Sequence, residues 1–290
     1  MALPDMTRKP PLLVTGVPRS GTTWLARSLA SSPGTAMPGR EPMNPRGRQL
    51  ALGGTVQGWV RLDSLDRRQA RILRRIYRGM EPRALSRYGI RQYAALTPWT
   101  RIIVKDPFAL LSLPAVVAAT GAEPVLLYRH PAAVLVSYRR MGWTADIDEI
   151  AALGAHLPDR RDEVTDMAAF WSYCNTSALD GLSQLGGGTV VSHEDLVRGG
   201  PLALAALMHH LGLDGSVLAN APTSEHVRRE GLHDFRRSPE DVLGGWRALL
   251  SDREIAELEA RTEPTSRRLA ARRLRLPDAA ALPSAGSEIS

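Results

Sequence analysis

Three short stretches of this 290-residue chain carry residue types and spacings that could do chemistry, and all three suit an anion. The first, "GVPRSGTTW", places Gly16 and Gly21 five residues apart, with Arg19 and Ser20 between them and Thr22, Thr23 and Trp24 behind. Two such glycines let the backbone turn tightly, and the first N–H groups of a following helix then point at a bound phosphate. The pattern G-x-x-x-x-G-K-[ST] of nucleotide-binding loops has a lysine where this chain has Thr22. That lysine reaches the β- and γ-phosphates in triphosphate chemistry, beside a hydroxyl that holds Mg²⁺. Arg19, inside the turn, instead offers a planar fork for charge on a bridging or transferred group. The other two stretches are "VKDPF", with Lys105 and Asp106, and "YRHP", with Arg129 and His130.

Each stretch sits where a strand should end. "PLLVTGV" (11–17), which is partly β-branched, "RIIVKDPF" (101–108) and "EPVLLYRHP" (123–131) are short apolar runs, and "GGGTVVSHEDL" (186–196) is a fourth. Helical patterns follow over 22–32, 109–121, 132–141 and 201–213, and a basic helix is expected over 61–80. Its apolar positions are Leu62, Leu65, Ile72, Leu73 and Ile76, and its charges read as a solvated face. Further helices are expected around 240–250 and 252–262. Strands alternating with helices predict an α/β fold of three layers, a central and mainly parallel sheet flanked by helices. Ligands of such sheets sit at the carboxyl ends of the strands, where the three cationic stretches meet. The chain reads as one domain over 1–275 with a disordered tail over 276–290.

Composition narrows the class. Hydrophobic residues at 43% and charged residues at 23% afford a sizeable core. The net charge is +7, from 37 basic and 30 acidic residues. The basic residues are almost all arginine, with lysine only at Lys9 and Lys105, and aromatics are 5%. Long basic stripes interleaved with aromatics are missing, which favours a polyanionic small ligand over nucleic acid. The single cysteine, Cys174, forms no intramolecular disulfide, and no Cys/His cluster has zinc spacing. No window approaches a membrane span and no signal-peptide pattern opens the chain, so a cytoplasmic protein is expected.

Several stretches together resemble the sulfotransferases that use 3′-phosphoadenosine 5′-phosphosulfate (PAPS). "PRSGTTWL" is similar to the family's 5′-phosphosulfate loop, and "VLLYRHPAAVLVSYRR" to its 3′-phosphate segment, an arginine closing a strand and a serine eight residues on. "VKDPFALLSL" resembles the tyrosylprotein branch and its bacterial relatives, and "HEDLVRGGPLALAALMHHLGL" the family's Glu-Asp-Leu element. The matches span about 12–213.

The resemblance implies a fold related to nucleotide kinases, PAPS as donor and a reaction without metal. It implies that Arg19, Ser20, Gly21, Thr22, Thr23, Trp24, Arg129 and Ser137 bind the donor. Arg19 and Lys105 would stabilise the transferred group, and Glu41 in "GREPMNP" would be the general base, with Asp106 as the alternative. His193, Glu194 and Asp195 are read as structural, and His130 as a strand-end residue. A basic C-terminal segment is expected to close over the donor, with Arg228, Arg229, Arg236 and Arg237 as candidates. The acceptor is a hydroxyl of a small molecule, a carbohydrate or glycolipid, or a peptidyl tyrosine. Its pocket is expected from 46–100 and 142–183, which hold Trp59, Tyr77, Tyr93, Trp99, Trp143, Phe170, Trp171 and Tyr173. Two rivals remain: a P-loop kinase for a small molecule, and a basic nucleotide- or nucleic-acid-binding protein.

Overall fold

The short apolar runs are strands whose two faces are both buried. In a computed structural model, which describes residues 9–46, 51–85, 90–97, 99–216 and 239–278, β1 (Leu12–Thr15), β2 (Thr35–Ala36), β3 (Arg101–Lys105), β4 (Glu123–Tyr128) and β5 (Thr189–Ser192) pair in the order β2-β3-β1-β4-β5. All four pairings are parallel. Side chains alternate along each strand, so each run feeds two cores. Leu13, Ile102, Val104, Leu126 and Val190 point into one, and Leu12, Val14, Ile103, Val125, Leu127 and Val191 into the other. This is why the strands read as near-continuous apolar runs rather than as alternating ones.

Helices cover both faces. On the smaller core lie α1 (Thr22–Leu29), through Leu25, Ala26 and Leu29, and the helix from His193 to His210, through Leu196, Ala203, Leu204, Leu207 and Met208. The larger core takes α2 (Arg67–Tyr77), α3 (Leu113–Thr120), α4 (Pro131–Met141), α5 (Ile147–Ala151) and α6 (Glu163–Gln184). In chain order the His193–His210 helix is α7, and α8 (Pro239–Gly244) and α9 (Asp252–Arg272) follow. α9 packs on α6 and α4, and Leu274 N donates to Val190 O at 2.8 Å, which joins the end of the described chain to β5.

Local chemistry moved several expected boundaries. The basic helix begins at Arg67, because Asp66 and Gln69 form a reciprocal capping box. Leu62 and Leu65 precede it as half-buried packing residues. The helix expected over 109–121 is a 3-10 turn from Pro107 to Ser112 followed by α3, and Pro114 marks the restart. Half of 142–183, expected to build an acceptor pocket, is the long packing helix α6 with Phe170, Trp171 and Cys174 buried. α9 runs ten residues past its expected end at 262. The four arginines expected over the donor, and the tail beyond Asp278, lie outside the described residues.

Candidate functional site

From β1 the chain runs to β2 on one side of the sheet, and from β4 to β5 on the other, so the β1/β4 junction is a switch point with a crevice at the strands' carboxyl ends. The Gly16–Gly21 turn fills it. A Cβ on Gly16 would stand 2.1 Å from Leu127 O of β4, so only glycine lets the loop cross there. Gly21, at φ 98°, directly precedes α1, and a Cβ there would meet the His193 ring at 2.7 Å. Arg19 adopts a left-handed φ of 73° without being glycine, a conformation that costs about 1–2 kcal/mol. Strain of this kind clusters at ligand-binding turns.

The turn carries groups suited to an anion. α1 has no acidic residue in its first turn and no side-chain cap at Gly21, so its leading N–H groups face the loop. Thr22 is buried and Thr23 half-buried at that end. The Ser20 hydroxyl is fully buried and has no hydrogen-bond partner. Leaving such a group unsatisfied costs about 1–3 kcal/mol, a cost that a bound anion would remove.

β4 and α4 bring the second cation set to the same place. Arg129, one residue past β4, donates from Nη1 to Arg19 O at 3.3 Å and from Nη2 to Val242 O in α8 at 3.4 Å. Ser137, two turns into α4, accepts from Arg19 Nε at 2.9 Å. Arg19, Arg129 and Ser137 therefore form one cluster from three separate elements. The Arg19 guanidinium also lies 5.7 Å from the ring centre of Trp143, which is 42% exposed.

β3 supplies the third set. Lys105 pairs in register with Val14, which sets it beside the strand that enters the loop. It is 8% exposed and forms an ion pair with Glu41. Asn44 Nδ2 donates to the other Glu41 oxygen. Asp106, next along, is 1% exposed, and its carboxylate accepts from Met43 N at 2.7 Å and Phe108 N at 3.1 Å. Asp106 thus caps the turn after β3 and pins the loop that carries Glu41. Both carboxylates have both oxygens engaged, but Asp106 is sealed in the core while Glu41 is only half-buried, which leaves Glu41 the better placed of the two to meet a substrate.

Burial, with the nearby Glu41 charge, pushes the Asp106 carboxyl up to about 7. A carboxyl raised on folding stabilises the native state below its ordinary value near 4 and loses that contribution as pH rises towards 7. The stability difference between wild type and Asp106→Asn should therefore shift against wild type from pH 4 to pH 7. The slope is at most about 1.4 kcal/mol per pH unit. Urea midpoints across that range check this, and a difference that stays constant would contradict the raised value.

Two further side chains border the turn. His193 opens α7 directly against Gly21, with its ring 6.4 Å from that of Trp24. Burial and Arg129 lower it to about 3, so it is neutral at physiological pH, and its buried Nδ1 has no partner. The rule that ligands gather at strand ends points to His193 as well, since β5 ends at Ser192. Glu194 accepts from His130 N at 2.9 Å and Ser192 Oγ accepts from Asp195 N at 3.2 Å, so the "SHED" stretch also ties the ends of β4 and β5 together. Trp24 is half-buried against the smaller core. Trp59, Tyr77, Phe170 and Trp171 are core residues, which leaves Trp143 as the exposed aromatic at Arg19.

Comparison with known proteins agrees with this arrangement. The chain matches no curated protein sequence. Among solved structures it resembles the sulfotransferase domain from the curacin biosynthetic pathway, at 16% identity and a TM-score of 0.50, covering 93% of this chain and 100% of that one. It also resembles a sulfotransferase from Alicyclobacillus acidocaldarius, at 14% identity and a TM-score of 0.52, covering 91% and 96%. At those identities the likeness establishes the fold. The profile of the sulfotransferase family matches residues 10–216, most of the chain and every element of the cluster above: this protein belongs to the sulfotransferase family.

Proposed function

We propose that this protein transfers a sulfuryl group from PAPS to a hydroxyl acceptor by in-line displacement, with Glu41 as general base. The observation that carries the reading is the convergence of the Arg19–Ser137–Arg129 cluster and the Lys105–Glu41 pair on the strand ends that flank the loop. The donor supplies two anionic ends, and the site supplies two anion-binding sets. The leading N–H groups of α1, with Ser20, Thr22 and Thr23, hold the 5′-phosphate, and the partnerless Ser20 hydroxyl fits that use. Arg129 and Ser137 hold the 3′-phosphate, and Trp24 lies against the nucleoside.

The acceptor oxygen forms its bond to sulfur as the bond from sulfur to the 5′-phosphate oxygen breaks, and the acceptor proton passes to Glu41. Arg19 and Lys105 stabilise charge on the transferred group and the leaving oxygen. Positioning and preorganised charge do most of the work, so the reading calls for no metal. Among the described residues, no cluster of three His, Cys, Asp or Glu side chains could hold one. The acceptor approaches past Trp143, a flat apolar wall beside Arg19. We place the reaction in the cytoplasm, where the lone, buried Cys174 stays reduced. Among the described residues no helix is long and apolar enough to cross a membrane.

The kinase alternative loses its lysine to Thr22. Titration calorimetry separates the two: adenosine 3′,5′-bisphosphate should bind tightly without Mg²⁺ and ATP much more weakly. ATP binding that is as tight and requires Mg²⁺ would overturn the sulfotransferase reading in favour of the kinase. Labelled PAPS offered with phenols, sugars and a tyrosine peptide then identifies the acceptor class.

A further inference from the structure

The net charge of this protein has an address. Residues 61–91 hold ten arginines against Asp63, Asp66 and Glu81, an excess of seven. The rest of the chain holds 27 basic and 27 acidic residues, so this one stretch accounts for the whole +7. Its centre is α2, whose sequence "RRQARILRRIY" contains no acid. Ile72, Leu73, Ile76 and Tyr77 are buried, which leaves the arginines on the outer face. Arg67, Arg71, Arg74, Arg75 and Arg78, with Met80, line an open groove of about 550 Å³. From Arg67 to Arg78 the stripe is about 16 Å long at the rise of an α-helix.

Several arginines of α9, by contrast, are matched by carboxylates. On α9, Arg261 pairs with Glu257 and Arg267 with Glu263, while Arg268 reaches Asp180 at 2.6 Å. On the stripe, the acid near Arg75 is Glu81 at 3.3 Å, and Glu81 also binds Arg83 at 2.7 Å. Like charges one turn apart destabilise a helix by a few tenths of a kcal/mol each. The stripe carries that cost several times over, since α2 itself holds no acid.

We propose that the arginine face of α2 is a docking surface for an acidic helical segment of a partner protein. Arginine forks pair bidentately with carboxylates, and cations spaced by helical turns match carboxylates spaced the same way on a facing helix. Other polyanions fit less well. The groove is lined by arginines and Met80, without an aromatic platform for unpaired bases. The apolar side of α2 is committed to the core, so no amphipathic face remains to enter a bilayer.

Fluorescence anisotropy with a labelled alanine-based helical peptide, glutamates at i, i+4 and i+7, tests this on the full chain. A DNA duplex of equal charge and phosphatidylserine vesicles serve as competitors. The peptide should bind at low salt and weaken as salt is raised. The triple variant Arg67→Gln, Arg71→Gln, Arg74→Gln should lose about tenfold or more in peptide affinity. The triple variant Arg261→Gln, Arg267→Gln, Arg268→Gln, with the same change in net charge, should stay within about twofold of wild type. Both should bind adenosine 3′,5′-bisphosphate as wild type does, which reports an intact fold. Absence of peptide binding at low salt, or equal losses in the two triples, overturns the proposal. Stronger competition by DNA or vesicles than by unlabelled peptide also overturns it and names the occupant instead.

Discussion

Glu41→Gln is expected to lower turnover by about 100-fold or more while adenosine 3′,5′-bisphosphate binds at least as tightly as to wild type. Glutamine keeps the size of the side chain and its one amide oxygen can still accept from Lys105, while the bond from Asn44 is given up, so most of the loop's contacts should persist. It cannot take a proton from an acceptor hydroxyl. Its neutrality also removes a negative charge from beside Lys105, which is why anion binding should hold or tighten rather than weaken. Single-turnover kinetics with PAPS, combined with calorimetry, separate the two effects. Undiminished turnover in Glu41→Gln would refute the assignment of the base. Loss of donor binding together with turnover would assign Glu41 to the architecture of the site. Asp106 does not rescue the variant in this account, since it is sealed in the core where Met43 N and Phe108 N hold its carboxylate.

Arg129→Ala should weaken adenosine 3′,5′-bisphosphate binding by about 100-fold, the worth of one strong charge-assisted contact near 3 kcal/mol. The contrast with 5′-AMP isolates the cause. On the proposed reading wild type should prefer the bisphosphate strongly, because Arg129 and Ser137 would meet only the 3′-phosphate. In Arg129→Ala that preference should nearly vanish. Arg129 also bonds to Arg19 O and Val242 O, so a purely structural role would weaken both nucleotides alike. An equal loss for both would therefore remove Arg129 from the 3′-phosphate site. An unchanged preference would move that site elsewhere in the crevice.

Much of this was legible before the fold was known, for specific reasons. Apolar runs such as "LLVT" and "EPVLLY" announce buried parallel strands because both of their faces must be covered. The glycine spacing in "GVPRSGTTW" announces a tight turn before a helix because few other residues tolerate φ 98° or an approach that would place a Cβ 2.1 Å from a carbonyl. The start of α2 was also present in the sequence, as Asp66 and Gln69 three residues apart, but the longer apolar pattern from Leu62 masked it. His193, read as structural, has a reach that the sequence does not display. Its neighbours Glu194 and Asp195 act within the "SHED" stretch, while His193 acts across the sheet on Gly21.

The sequence by itself determined the four longer strands, the glycine turn and the residue types available at their ends, because backbone conformation and periodicity are local properties, while β2 (Thr35–Ala36) was too short to show. Tertiary structure alone decided that β1 lies between β3 and β4. That order sets Lys105 beside the strand entering the loop, and Arg129 beneath the Arg19 carbonyl. It also decided that Asp106 is a buried brace, that Glu41 meets Lys105, and that the arginines of α2 share one face. Parallel pairing joins residues about ninety positions apart, and burial is a property of everything packed around a group, so neither can be read from a residue and its near neighbours.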